Sequence, residues 1–172
     1  MSLKSSSITT NHFVNSFISV FVLSGDFPQI GRSELISILE SNNIDYNIID
    51  ENSRIIIVSF NKYDTHYDEL FQRIAYCNYF GILLFRYNLD FDKLYAQNSS
   101  SDYLKKYNSF SVRKINIKTH LDNKYERIIG GLIKNTVPHL KVNLTSPEIG
   151  LFVCKFDNQL LIFSNNLFSN KP

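Results

Sequence analysis

At 172 residues, with 44% apolar and 20% charged side chains, the chain is long enough for one substantial core or two small ones, and its composition is that of an ordinary globular protein, so disorder is not the default. Its net charge of +2 conceals an asymmetry: residues 1–89 carry 6 Lys/Arg against 9 Asp/Glu, whereas residues 90–172 carry 12 against 7. Cys77 and Cys154 form no C-x-x-C pair, and the apolar run Phe17 to Leu23 is too short to span a membrane, so a disulfide scaffold, a zinc site and a membrane partner are disfavoured and a reducing cytoplasm is expected.

Residues 1–15 hold one lysine among several Ser and Thr, with no apolar core followed by a small-residue cleavage site; they read as a disordered lead-in, not a signal peptide. Ser16 to Leu23 reads as a buried strand, stopped by Ser24-Gly25-Asp26 and Pro28. From about Gly31 to Asn42, Leu35, Ile38 and Leu39 recur at helical spacing. Two β-type runs follow, Tyr46 to Ile49 and Arg54 to Phe60, with hairpin material between them at Asp50 to Ser53. Asp64 is placed to cap a helix in which Tyr67, Leu70, Phe71, Ile74 and Ala75 share one face. Tyr79 to Tyr87 is a fourth strand. The order β-α-β-β-α-β predicts a ferredoxin-like domain over residues 16–89.

Residues 90–108 read as a helical connector, with Asp90 and Asp92 at its start where the helix dipole favours acidic groups. A second α/β unit is expected over 109–165: a strand from Ser109 to Ile117, a helix over 124–135, a short strand from Val142 to Leu144, and a hairpin of Ile149–Phe156 with Leu160–Ser164 across Asp157-Asn158. Residues 166–172 are a tail. The fold class is therefore α+β, a ferredoxin-like domain followed by a second α/β domain.

Residues 103–141 hold 9 basic side chains and only two acidic ones, Asp122 and Glu126. Such a concentration is either a solvated face or the footprint of a polyanion. The helix over 124–135 favours the polyanion. Opposite its apolar residues (Tyr125, Ile128, Ile129, Leu132, Ile133) lie Lys124, Arg127, Gly131 and Lys134, one stripe at helical spacing. Gly130 and Gly131 each weaken a helix interior by roughly 0.8–1 kcal/mol relative to alanine. Gly130 has two readings, packing against the connector or a ligand's close approach. Gly131, within the basic stripe, points to close approach of a sugar-phosphate backbone. Arg113 and Lys114 on the preceding strand, Lys118 in the entering loop and Lys141 after the helix are expected to extend one phosphate-tracking surface. Tyr103 and Tyr107, beside Lys105 and Lys106, read more readily as core than as base-stacking platforms.

The stretches Phe110-Ser-Val-Arg-Lys-Ile115, Arg127-Ile-Ile-Gly-Gly-Leu132 and Lys141-Val-Asn-Leu-Thr-Ser-Pro147 resemble the first core strand, the glycine-bearing helix and the following strand and turn of the THUMP family. Asn143 stands where that family usually has an acidic residue. Phe17 to Gly25 and Arg73-Ile-Ala-Tyr76 are similar to the N-terminal region of archaeal tRNA guanosine-10 N2-methyltransferases. The resemblance covers roughly residues 16–165. It implies a ferredoxin-like plus THUMP pair that grips the tRNA acceptor stem and 3′ CCA end and presents the tRNA to a separate catalytic domain. On this resemblance Arg113, Lys114, Arg127, Gly131 and Lys134 fall in the RNA-facing region; Lys118, Lys124 and Lys141 join them on charge and predicted position.

The catalytic parts of such enzymes are not legible here. The four prolines include no Pro-Pro, there is no G-x-G loop after a strand, no P-loop, and His12, His66, His120 and His139 form no metal-binding pair. No cofactor and no enzymatic activity of its own are therefore expected. The chain reads either as a fragment of a methyltransferase or as a stand-alone module acting with a catalytic subunit in trans. Two other classes compete with RNA binding: a ferredoxin-like regulatory module for a small molecule or protein, which the acidic first half suits, and an enzyme, for which no acid–base or nucleophile constellation is visible.

Overall fold

The structure, a computed structural model, describes residues 17–61, 66–97, 100–115 and 121–164. The expected lead-in and tail, the capping role of Asp64, and the positions of Lys118 and His120 lie outside the described residues. The first six elements are β1 (Phe17–Leu23), α1 (Pro28–Ser41), β2 (Tyr46–Glu51), β3 (Ile55–Phe60), α2 (His66–Phe71) and β4 (Cys77–Asn88). Their strands lie in the antiparallel order β2-β3-β1-β4.

α1 starts three residues before the expected Gly31 because Pro28, whose fixed φ suits the first turn, already stands inside it. It stops where Asn43 enters the left-handed region at φ 53°, which lets the amides of Asn43 and Ile44 return to the carbonyls of Glu40 (3.1 Å) and Leu39 (2.9 Å). α2 is shorter than its periodicity suggests. The amides of Arg73 and Ile74 bond back to Leu70 and Phe71 in a tighter turn. The Glu34 carboxylate then accepts the amides of Ala75 and Tyr76 at 3.0 and 3.1 Å. Both helices cover one sheet face, where Phe21, Phe60, Phe71 and Phe80 pack with Leu35 and Leu39.

The remaining elements are β5 (Lys93–Ala96), α3 (Ser100–Leu104), β6 (Ser109–Lys114), α4 (Lys124–Thr136), β7 (Lys141–Val142), β8 (Ile149–Phe156) and β9 (Gln159–Ser164). They extend the same sheet as β4-β9-β8-β6-β7, with β6 parallel to both of its neighbours. β4 is the shared strand: Cys77–Ile82 pairs with β1, and Leu83–Asn88 with β9. At the change-over, Gly81 meets the end of β9 so closely that an added Cβ would lie 1.7 Å from the Ser164 carbonyl oxygen.

Among the described residues, the helical connector expected over 90–108 is instead a strand followed by a short helix. Asn88 Oδ1 accepts the amides of Asp90 (2.9 Å) and Phe91 (3.2 Å), and Asp92 takes φ 50°, so the chain reverses and β5 pairs back onto β4. Asp90 and Asp92 therefore belong to a hairpin turn, not to a helix start.

Two further apolar clusters complete the core. On one face Leu104 of α3 and Ile129 and Ile133 of α4 pack on Phe110, Leu151 and Ile162. On the other face Val20, Val22, Ile55 and Ile57 of β1 and β3 share a cluster with Phe156, Leu161 and Phe163 of β8 and β9. Cys154 lies in that cluster, and burial pushes its thiol up to about 12; burial moves the free Cys77 thiol to about 12 as well. No helix among the described residues is long and apolar enough to cross a membrane.

Candidate nucleic-acid interface

α4 begins where Asp122 Oδ1 accepts the Lys124 amide at 2.9 Å and the Asp122 carbonyl accepts that of Tyr125 at 3.1 Å. Its buried face is narrower than the sequence suggests. Ile129, Gly130 and Ile133 are buried, Tyr125 and Leu132 are half-buried, and Ile128 is exposed. Gly130 lies on the side turned to β6, where an added Cβ would meet Val112 Cγ2 at an ordinary 3.9 Å. Gly130 thus faces the strand rather than the connector. Gly131, one residue on, is exposed, and an added Cβ there would meet nothing within 4 Å. Neither glycine is required by packing.

The stripe Lys124, Arg127, Gly131 and Lys134 is exposed along its length. Among the described residues neither Arg127 nor Lys134 has an ion-pair or hydrogen-bond partner. The Lys124 ammonium lies 3.9 Å from Asp122 and 5.3 Å from the centre of the Tyr125 ring, both weak, solvated contacts.

Beside the stripe, between α4 and the segment 142–144, runs a groove of about 340 Å³. Phe110, Val112, Val142 and Leu144 supply its apolar surface, Arg113 and Arg127 its cations, and Asn123 and Glu126 its other polar groups, with the backbone of Gly130 and Gly131 along one wall. Asn143 organises the far wall. Its Oδ1 accepts the amides of Thr145 (3.1 Å) and Ser146 (3.0 Å), while its Nδ2 donates to the Ser146 carbonyl at 2.8 Å. A carboxylate could accept the same two bonds but could not make the third, so asparagine adds a donor bond that an acid at this position would lack. Arg113 Nη2 donates to the Leu144 carbonyl at 3.0 Å, which holds the guanidinium at the groove.

The remaining candidates separate. Lys114 is spent inside the molecule: its ammonium donates to the Leu121 carbonyl at 2.9 Å and to Asn123 Oδ1, and its amide donates to Glu126 Oε1 at 2.9 Å. It staples the end of β6 to the start of α4. Lys141 pairs with Ser109, and Val142 with Phe110, so the alternation of the pleat turns Lys141 to the sheet face opposite the groove. One surface expected from the sequence is therefore a ridge and groove formed by Arg113, Lys124, Arg127, Gly131 and Lys134, with Lys141 apart and Lys118 outside the described residues.

Sequence reasoning missed Asn123, Val142 and Leu144. The only available signal was two apolar residues flanking Asn143 in a segment too short and too turn-rich to bury them; Val142 and Leu144 are 50% and 60% exposed. Together these groups offer guanidinium forks for phosphate, an apolar bed for a base or sugar, and bare helix backbone between them.

No family model matches the sequence, and no curated protein does. Solved structures do. PH1313 from Pyrococcus horikoshii Ot3, a THUMP-domain protein, superposes with a TM-score of 0.57 at 16% identity over 86% of this chain and 54% of its own. SMU.472, described as a methyltransferase and complexed with SAH, gives 0.54 at 13% identity, covering 88% of this chain and 42% of its own. A 4-thiouridine synthetase in complex with RNA and bound ATP gives 0.51 at 16% identity, covering 87% and 41%. The chain spans about half the length of these proteins or less. At such identities the likeness is one of fold: this chain has an α+β fold like that of THUMP-domain proteins and of enzymes that modify RNA.

Proposed function

We propose that this chain is a non-catalytic tRNA-binding module that grips the acceptor stem and 3′ end and presents the tRNA to a modifying catalytic domain, in cis or in trans. A methyltransferase is the favoured catalytic partner, as SMU.472 is described as one and the THUMP-like motifs point the same way. The observation that carries the reading is the exposed Arg127–Gly131–Lys134 ridge, free of carboxylate partners among the described residues, bordering an apolar groove that Arg113 also lines. Cations without partners remain available to displace counterions from phosphates, whereas Lys114, already bonded internally, does not. The thiouridine synthetase structure, which holds RNA, supports RNA as the ligand class. A cytoplasmic location fits the two free cysteines.

The test is a titration with deacylated tRNA at two ionic strengths. Each phosphate contact contributes roughly −0.7 to −0.9 to the slope of log affinity against log salt. Arg127→Glu with Lys134→Glu is expected to weaken binding by about tenfold or more, roughly 1.4 kcal/mol or above, without lowering the unfolding midpoint. Unchanged affinity in this variant would remove the ridge from the site. Loss of affinity on trimming the 3′ CCA supports end recognition, and indifference to trimming refutes it.

A further inference from the structure

The turn between β4 and β5 and the turn between β8 and β9 are laced into one rigid tip. Asn88 Oδ1 accepts the amides of Asp90 and Phe91, the Leu89 amide donates to the Asn158 carbonyl at 3.2 Å, and Asn158 Nδ2 donates to Asp90 Oδ2. On this tip Phe91 is 74% exposed, more than any other large apolar side chain among the described residues. Asp90, Asp92 and Asp157 around it are exposed as well, and among the described residues none of them has an ion-pair partner. Lys93, the cation next in sequence, lies over the Tyr95 ring at 5.3 Å. A phenyl ring set among carboxylates repels RNA and suits an apolar, cationic surface. The groove beside α4 is such a surface. Phe110, Val112, Val142 and Leu144 form its bed, and Arg113 and Arg127 flank it. Its one carboxylate, Glu126, is bonded to the Lys114 amide. An apolar cavity of roughly 150 Å³ already accepts a benzene ring. The groove, at about 340 Å³, takes the Phe91 ring and leaves room for the carboxylates beside it. Arg113 spends one N–H on the Leu144 carbonyl, which leaves the rest of its fork open to a carboxylate.

We propose that the Phe91 tip of a second copy of this chain docks in the groove, so that self-association covers the site until RNA displaces it. The ring stands in for a base and the carboxylates for phosphates. A chain's own tip is out of reach of its groove. The strand order β4-β9-β8-β6-β7 sets β4 and β7 four spacings apart, about 19 Å across a bonded ladder. The contact is therefore between copies, and it is head-to-tail, because each copy offers one tip and one groove. One ring and a few ion pairs make a small interface, so the association is weak and exchanges quickly. The docking follows from the tip and the groove alone; its displacement by RNA rests on the RNA-binding reading above.

Sedimentation velocity of the parent at concentrations up to about 1 mM tests the docking. Its average mass should rise with concentration and fall back in about 1 M salt, where charges are screened within roughly 3 Å. Two variants divide the interface. Phe91→Ser with Asp92→Asn removes the ring and one charge from the tip, and asparagine tolerates the left-handed φ of 50°. Arg127→Glu reverses a groove cation that has no partner among the described residues. Each variant alone should stay monomeric and keep the parent's unfolding midpoint. Mixed, they should form a one-to-one pair and nothing larger, because one brings the intact groove and the other the intact tip. A parent that stays monomeric, association of either variant alone, or no pair in the mixture would overturn the docking. The mixture also tells the two readings apart. Fluorescence anisotropy of N-terminally labelled Arg127→Glu protein should rise when the tip variant is added and return to its starting value when saturating tRNA takes the groove. A pair that tRNA leaves intact overturns RNA binding in the groove while the docking stands. Binding of tRNA by a parent that does not self-associate overturns the docking alone.

Discussion

Replacing Gly131 by alanine is expected to make the protein more stable and a poorer ligand for RNA. The stability gain follows from the surroundings of the residue. It sits in the interior of α4, is exposed, and an added Cβ would find open space within 4 Å. Nothing offsets the helix propensity of alanine, worth roughly 0.8–1 kcal/mol over glycine at such a position. For a chain of this size that corresponds to a rise of about 2–4 °C in the unfolding midpoint. The binding loss follows from the groove, whose wall at this point is bare backbone between Arg127 and Lys134. A methyl group there holds a sugar-phosphate backbone off, for an expected loss of about tenfold in tRNA affinity, roughly 1.4 kcal/mol. Thermal unfolding and a tRNA titration at one fixed salt concentration read the two effects. Gly130→Ala is the companion variant for stability: its Cβ meets Val112 at an ordinary 3.9 Å on the strand side, so its unfolding midpoint should rise as well. A lowered midpoint in Gly131→Ala would refute the account of the helix, and full RNA affinity would refute close approach as the reason for the glycine.

Gly81→Ala should act in the opposite direction, because its Cβ would lie 1.7 Å from the Ser164 carbonyl oxygen; a loss of about 3 kcal/mol or more in denaturant unfolding is expected, and a midpoint near the parent's would be inconsistent with the β4–β9 approach. Glu126→Ala leaves the Lys114 amide without its acceptor and should cost about 1–3 kcal/mol. Glu126→Gln keeps an acceptor oxygen while removing a negative charge from the groove, so it should spare stability and tighten tRNA binding by about two- to fivefold. Burial raises both thiols from 9.0 to about 12, so the native state holds their protons where the unfolded state releases them; stability should fall between pH 9 and about 12, less steeply in Cys77→Ala with Cys154→Ala.

Much of the fold was legible before any coordinates. The spacing of Leu35 and Leu39, the β-branched runs of β1 and β3, and the order of elements identify a ferredoxin-like unit, since each signal is local and repeats with the period of its own element. The connector misled for an equally local reason. Its residues have tolerable helix propensity, whereas the strand at Lys93–Ala96 exists only because Asn88 turns the chain back against the exposed edge of β4.

The sequence by itself determined that a cationic stripe with a central glycine runs along one helix, because residues three, four and seven apart must share a face. Which other cations join that stripe was a tertiary decision. Lys114 is removed by bonds to the Leu121 carbonyl and Asn123 Oδ1, groups leading into α4 rather than on its own strand. Lys141 is removed by register, since pairing with Ser109 sends it to the far face and brings Val142 to the groove. Charge is written in composition, but its direction is set by strand pairing and helix packing, and those are contacts between residues far apart in the chain.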